Sequence, residues 1–335
     1  MSMPLRQQLA VGSYIFSKKL KGEKKYPLVL ELEPLLQCNL ACAGCGKISH
    51  PNEILRKRLS VEECIAAVEE CGAPIVSIAG GEPLIHDQMP QIVQALVDRK
   101  KFVFLCTNAI LLEKKISQFK PSPYFAWMIH LDGMKDRHDE SVCRDGVFDK
   151  AIAAIKLAKE HGFRVFTNTT FFNKDDAASI RSVLDYLNDE IKVDSMQISP
   201  AYAYEKAPDQ EHFLGVEQTR AIFREAFSAG GRKRWRLNHS PVYLDFLEGK
   251  VDFECTPWGI PCYTVFGWQR PCYLMSDAPY AKTYKELIEE TDWEKYGRGK
   301  HPSCANCMAH CGYEPTAVLR TTGSIKESIR AAIGR

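Results

Sequence analysis

The sequence predicts an α/β fold: a parallel sheet, closed or partly closed as a barrel, with a small cysteine-rich extension at its carboxyl end. Three observations carry this. Short β-rich runs alternate with helical patterns about six times, the layout of a parallel sheet with crossover helices. The alternation stops near Ala201. Six of the thirteen cysteines then crowd the last third of the chain.

Residues 1–26 form a basic amphipathic segment, with Leu5, Leu9, Ile15, Phe16 and Leu20 set among Arg6, Lys18, Lys19, Lys21, Lys24 and Lys25. It has two readings: contact with a membrane surface, or a helix packed on the barrel with its charged face in solvent. Residues 27–215 form the barrel core. Strands are expected over 28–32, 74–79, 102–106, 127–131, 165–169 and 195–199, and helices over 61–71, 89–98, 148–160 and 177–187. The first of these helices opens on Ser60 and Glu63, a Ser-x-x-Glu capping box. In such folds the chemistry sits at the carboxyl ends of the strands. Residues 216–335 make the extension, with helices over 218–229 and 242–249 and then a loop-rich tail over 255–313. The tail has too little aliphatic content to pack alone and is expected to lean on metal or on the core.

A formal charge of +2 gives no global field to favour nucleic acid, so basic behaviour must be local. The opening MSMPLRQQLA lacks the charged-then-apolar layout of a secretory signal, and no apolar run reaches the roughly eighteen residues of a spanning helix. The expectation is a cytoplasmic chain with reduced thiols, peripheral at the inner membrane face if the first segment docks there. Clustered cysteines then read as metal ligands or catalytic thiols.

The first cluster is Cys38-Asn39-Leu40-Ala41-Cys42-Ala43-Gly44-Cys45, directly after the first strand. Three thiolates within eight residues can wrap a cuboidal iron–sulfur cluster and leave one iron open. Structural zinc would want four closed ligands, and only His50 lies nearby.

Cys-x3-Cys-x2-Cys in this position resembles the signature of the radical S-adenosylmethionine (SAM) superfamily. The resemblance implies a partial (β/α)6 barrel and a four-iron, four-sulfur cluster on Cys38, Cys42 and Cys45, whose open iron chelates SAM. The residue before the last cysteine is usually aromatic in that superfamily and contacts adenine; here it is Gly44. Gly80-Gly81-Glu82-Pro83 ends the second strand and resembles the family's Gly-Gly-Glu-Pro segment. Its glycines let backbone approach a ligand, and its carbonyls can accept from the SAM ammonium. His130-Leu131-Asp132-Gly133 resembles the fourth-strand segment. His130, with Asn108 after the third strand and Asn168 on the fifth, is a ribose and carboxylate contact or else a satisfied turn residue. His138 and Asp139 read as loop scaffolding.

In the tail, Pro271-Cys272 and Cys304-x2-Cys307-x3-Cys311 resemble the shortened auxiliary-cluster domains behind some radical SAM barrels. Four thiolates would close a second four-iron cluster; tetrahedral zinc is the other reading. Cys255 and Cys262 belong to the same crowd without an assigned role. Cys64 and Cys71 read as buried helix thiols.

Several stretches together resemble one subfamily, the hopanoid-biosynthesis radical SAM proteins or adenosylhopane synthases. They are Tyr26-Pro27-Leu28-Val29-Leu30, Cys38 to Lys47, Ile198-Ser199-Pro200-Ala201-Tyr202-Ala203-Tyr204-Glu205-Lys206, Tyr243-Leu244-Asp245-Phe246-Leu247, Phe266-Gly267-Trp268-Gln269-Arg270-Pro271-Cys272-Tyr273 and His310-Cys311-Gly312-Tyr313-Glu314-Pro315. That resemblance implies addition of the 5′-deoxyadenosyl radical to the terminal alkene of a pentacyclic hopene (diploptene), with a flavodoxin or ferredoxin as reductant. Such an addition leaves a tertiary radical that needs a hydrogen atom. Cys106, ending the third strand, is a donor by position or a small buried hydrophobe. Phe171, Phe172, Tyr202 and Tyr204 are candidate walls for a flat apolar substrate, or plain core. The enzymatic alternative is hydrogen abstraction from a peptide or other substrate.

Overall fold

The computed structural model describes residues 4–203, 205–228, 230–275, 278–324 and 327. Six strands run in parallel and in chain order: β1 (Val29–Glu33), β2 (Ile75–Ile78), β3 (Phe102–Thr107), β4 (Phe125–His130), β5 (Arg164–Phe171) and β6 (Ser195–Pro200). Each falls within three residues of its sequence expectation. A helix α1 (Leu5–Leu20) precedes them. The main crossover helices are α2 (Val61–Cys71), α3 (Met89–Asp98), α4 (Lys135–Ser141), α5 (Val147–Glu160) and α6 (Ala177–Asp185). The Ser60 hydroxyl accepts from the Glu63 amide at 3.1 Å while the Glu63 carboxylate accepts from the Ser60 amide at 2.7 Å, so α2 starts where the capping box places it.

Alternation along the strands separates two cores. Val103, Leu105, Trp127, Ile129 and Val165 face outward and pack with the buried faces of the helices. Ile75, Phe104, Met128 and Phe166 face inward and make a second apolar cluster inside the partial barrel. Further along the same inward face the residues turn polar: Glu31 and Ser77, then Cys106, His130, Asn168 and Gln197. The inward strand face is thus apolar at the amino ends of the central strands and polar at their carboxyl ends, while Gln7 of α1, Asp194 and Arg236 also line the cavity near β6 and the amino ends.

The extension departs from the loop-rich tail expected. After α7 (Val216–Ser228) and α8 (Pro241–Leu247), β7 (Cys262–Thr264) pairs in parallel with β1, and β8 (Gly267–Arg270) and β9 (Ala278–Ala281) follow antiparallel. The sheet order is β6-β5-β4-β3-β2-β1-β7-β8-β9. Aromatic rings replace the missing aliphatic side chains. Trp268 is fully buried, with its indole N–H donated to Glu70 at 3.0 Å, and Phe246 stacks on Tyr313 with centroids 4.5 Å apart. The extension therefore leans on the core, through α9 (Tyr284–Glu290) and a final helix α10 (His310–Gly323) that the sequence pattern did not announce.

Candidate functional site

One cavity of about 1470 Å³ runs inside the barrel. At the carboxyl ends of the strands its wall includes Cys38, Cys42 and Cys45, and at the amino ends it reaches residues of α1. Pockets for single small ligands span about 300–1,000 Å³, so this space is large enough for more than one occupant.

The cysteine loop is held from both sides. The Gly81 amide donates to the Leu35 carbonyl at 3.1 Å and the Glu82 amide to the Gln37 carbonyl at 2.9 Å. A Cβ on Gly81 would lie 2.0 Å from the Gln37 carbonyl oxygen, and one on Gly80 would lie 2.2 Å from that of Leu35. Gly80 also has φ +107°. The two glycines are there because the cysteine loop lies directly on them. The Glu82 carboxylate is buried and fully engaged, accepting from Leu84 N at 3.0 Å, Thr107 Oγ1 at 2.8 Å and Asn108 N at 2.8 Å. Gly80, Gly81 and Glu82 border the cavity, whereas Pro83 is buried away from it at the start of a short turn. Beyond Cys45, Lys47 pairs with the buried Glu33 at 2.9 Å and sits 4.2 Å from the Tyr273 ring centroid, tying the loop to β1 and the extension.

The Cys42 thiol is raised by burial and by its neighbours Cys45, Asp132 and Cys38; the Cys38 thiol is pushed up to about 11 by burial above all. Three thiols facing one space, each disfavoured as an anion, are the donor set that a cationic iron cluster would relieve. Among the described residues no three His, Cys, Asp or Glu side chains converge at single-ion distance. Thiolates that each bind a different iron have no need to.

Around this loop, Asn108 donates to the Asn39 side chain at 2.7 Å and approaches Cys38 Sγ at 3.9 Å. His130 pairs with the buried Asp132 at 2.8 Å, and Asp132 also accepts from Thr170 N at 2.9 Å and Ser141 Oγ at 2.9 Å. Asp132 holds His130 above the usual imidazole range despite burial. Asn168 and Cys106 line the same cavity. Asp139 accepts from the amides of Gly146 and Phe148 and starts α5, and His138 Nδ1 accepts from Asp132 N at 3.1 Å.

Sequence reasoning did not assign Glu31 or Ser77 to the site, and their position on the inward strand face could have flagged them; Asp132, two residues past β4, stood in the His130-to-Gly133 segment without a role of its own. Ser77 Oγ lies 3.6 Å from Cys106 Sγ. Burial first, then Glu31, pushes the Cys106 thiol up to about 12. Burial and Glu33 push the Glu31 carboxyl up to about 8. Of the candidate aromatic walls, Phe172 and Tyr202 line the cavity, whereas Phe171 is core, packed edge-on against Phe223. Tyr204 lies outside the described residues.

In the extension, Cys272, Cys304, Cys307 and Cys311 lie near enough to feel one another's charge, and so does Cys255, which has no assigned role in the sequence analysis. Burial and its neighbours Cys272 and Cys304 raise Cys255, and burial and the neighbours Cys272, Cys255 and Cys304 raise Cys307. Cys262 sits on β7 opposite Glu31 instead.

Comparison with known proteins divides the chain in two. Residues 32–187 match the radical SAM superfamily, and residues 196–331 match a domain of unknown function, DUF3463. The chain is 25% identical to a GTP 3′,8-cyclase of Clostridium perfringens (strain SM101 / Type A) over 65% of its own length and 69% of that protein. It is 31% identical to a probable GTP 3′,8-cyclase of Methanococcus maripaludis (strain C5 / ATCC BAA-1333), over 72% of its length and 83% of the relative. Streptococcus suis SuiB bound to S-adenosylmethionine shares the fold, with a TM-score of 0.61 at 18% identity; the match covers 74% of this chain and 61% of SuiB.

Proposed function

The chain belongs to the radical SAM superfamily, whose members pair a four-iron, four-sulfur cluster with SAM, and from that premise we propose that it adds a 5′-deoxyadenosyl group to the terminal alkene of a hopene. The observation that carries this reading is the two-ended cavity. Its apolar half, walled by Val29, Ile75, Phe104 and Met128, suits a flat hydrocarbon skeleton, and its polar half lies under the cysteine loop. An alkene at the end of such a skeleton reaches the polar half beside Cys106.

When bound, the cluster and SAM together supply a 5′-deoxyadenosyl radical. Cys38, Cys42 and Cys45 would hold the cluster, and Asn108, His130 and Asn168 offer polar contacts to SAM along one rim. Cys106 then gives its hydrogen atom to the tertiary carbon that the addition leaves. Burial favours this role because it keeps the thiol protonated, and a thiolate has no hydrogen to give. The cysteinyl radical left behind regains one electron and one proton, the electron from a reductant of the flavodoxin or ferredoxin class.

Product analysis after anaerobic reaction with SAM, reductant and hopene tests the proposal. Adenosylhopane is expected, with deuterium at the new tertiary centre when the buffer is deuterated, since a thiol exchanges with water. Cys106→Ala should still consume SAM and alkene but give an unsaturated or protein-linked product. Free 5′-deoxyadenosine with the hopene untouched would support the rival reading, hydrogen abstraction from a peptide or other substrate. Unlabelled product, and normal product from Cys106→Ala, would remove Cys106 from the mechanism.

A further inference from the structure

Helix α1 is packed on one side and carries exposed apolar residues on the opposite one. Gln7 and Ile15 are buried and Val11 is half-buried on one side, where Ile15 packs with Tyr26 and Leu28 and Val11 touches the inner-barrel cluster. Leu5, Leu9, Phe16 and Leu20 stand 67%, 65%, 64% and 72% exposed, and they are the large hydrophobic side chains that stand exposed among the described residues. At 3.6 residues per turn, spacings of four, seven and four keep these side chains within a stripe about 60° wide, facing away from the packed side. A helix that merely packed on the barrel would carry polar residues there.

The charge around the stripe is one-sided. Between Pro4 and Lys25 stand six Lys and Arg against one acid, Glu23, in a chain whose total formal charge is +2. Lys18 is taken up by Glu23 at 2.6 Å, and Lys25 lies 5.5 Å from the Trp258 ring centroid. Lys19, Lys21 and Lys24 are exposed at the carboxyl end of the helix. The same helix closes the greasy end of the cavity: Gln7, Gln8, Val11, Gly12 and Ile15 line it. Gln8 and Gly12 flank the exposed stripe, so the lipid-facing surface and the cavity wall meet along one edge of α1.

We propose that the exposed face of α1 docks on an anionic lipid bilayer, with its leucines and phenylalanine in the acyl boundary and its lysines among the headgroups. An apolar stripe with a basic rim is the pattern of an interfacial helix. Basic residues near an anionic surface add to the attraction and are screened by salt. No helix among the described residues is long and apolar enough to cross a membrane, so α1 lies on the bilayer. The purpose of docking, delivery of an apolar substrate through the edge of α1, rests on the reading of the reaction given above; the geometry of the helix does not.

The experiment is flotation of the full chain with vesicles of phosphatidylglycerol and phosphatidylcholine, against vesicles of phosphatidylcholine alone. Wild type should float with the anionic vesicles and release in high salt. Leu9→Ser/Phe16→Ser, whose side chains face solvent, and Lys19→Glu/Lys21→Glu/Lys24→Glu should each bind at least about tenfold more weakly. Both variants should turn over detergent-dispersed hopene as wild type does, which separates docking from chemistry. Wild type that stays at the bottom of the gradient, or variants that float equally well, would overturn the proposal. So would a concentration-dependent dimer that Leu9→Ser/Phe16→Ser abolishes without any vesicle binding, because a second copy would then cover the stripe. Should wild type float but leave hopene unreacted, docking stands and the substrate assignment falls.

Discussion

Gly44 departs from the superfamily's usual aromatic residue before the last cysteine, and an aromatic ring stands directly beside it. A Cβ at position 44 would lie 2.9 Å from the Phe172 ring, which comes from beyond the end of β5 and borders the cavity beside the cysteine loop. Arg137 lies 5.2 Å from the same ring centroid and Phe213 6.1 Å away. An aromatic surface thus exists at this spot, supplied by a different strand, and glycine leaves room for it. Stacked aromatic pairs contribute about 0.5–1.5 kcal/mol beyond burial, so Phe172→Ala should weaken SAM binding roughly two- to twelvefold. Equilibrium dialysis of reconstituted protein would measure it. Gly44→Phe added to Phe172→Ala should recover part of the loss, whereas Gly44→Phe alone should clash. Unchanged SAM affinity in Phe172→Ala would leave the ring a packing residue only.

Among the elements, the join between the loop after β1 and the loop after β2 decides whether the cysteines are presented at all. From sequence, Gly80 and Gly81 read as permitting a ligand's approach; in the structure the approaching group is the chain's own backbone at Leu35 and Gln37. Gly81 has no positive φ, so the objection to a side chain there is contact alone. Gly81→Ala must push the Gln37 carbonyl, and Cys38 with it, outward. Overpacking of this kind costs about 1–3 kcal/mol, too little to unfold a barrel of this size. The expected result is a folded protein by circular dichroism that retains little iron at the first cluster and cleaves SAM poorly. Normal iron content and cleavage would mean that the loop yields without moving its thiols.

At the scale of the whole molecule, legibility in the sequence tracked how regular the local pattern was. The six core strands were readable because each is a β-rich run bounded by turns, and α2 because its capping box is spelled out. The strands of the extension were not: β7, β8 and β9 have three or four residues each, too short for a period to show. Pro315 inside α10 hid a helix, since proline normally ends one. Helix α1 was ambiguous for a different reason. Its apolar residues are spread over a packed and an exposed side, so no single-face pattern stands out, and only the fold reveals that Ile15 turns inward while Phe16 turns out. At the site, spacing disclosed the first three cysteines, but Glu31 and Ser77 required knowing which way each strand faces.

The thiols of the extension carry the last prediction, because they decide whether the molecule has one metal centre or two. Five of them, Cys255, Cys272, Cys304, Cys307 and Cys311, share one region, one more than a closed four-iron cluster or a tetrahedral zinc requires. Burial and mutual repulsion raise Cys255, Cys272, Cys307 and Cys311, so without a cation these four are costly to ionise and most stable protonated. A spare thiol can replace a lost ligand, so single substitutions are a weak test, and the informative variant removes two at once. Fully reconstituted wild type should carry about eight irons per chain, falling to about four in Cys304→Ala/Cys307→Ala and to about four in Cys38→Ala/Cys42→Ala/Cys45→Ala. The first of these variants should also lose thermal stability, since its metal would tie β8 to α10; the second should keep its fold but lose all SAM cleavage. About four irons with one zinc in wild type would assign the extension to zinc. Four irons without zinc, and no thermal difference between wild type and Cys304→Ala/Cys307→Ala, would leave these cysteines as packed thiols held by their aromatic neighbours alone.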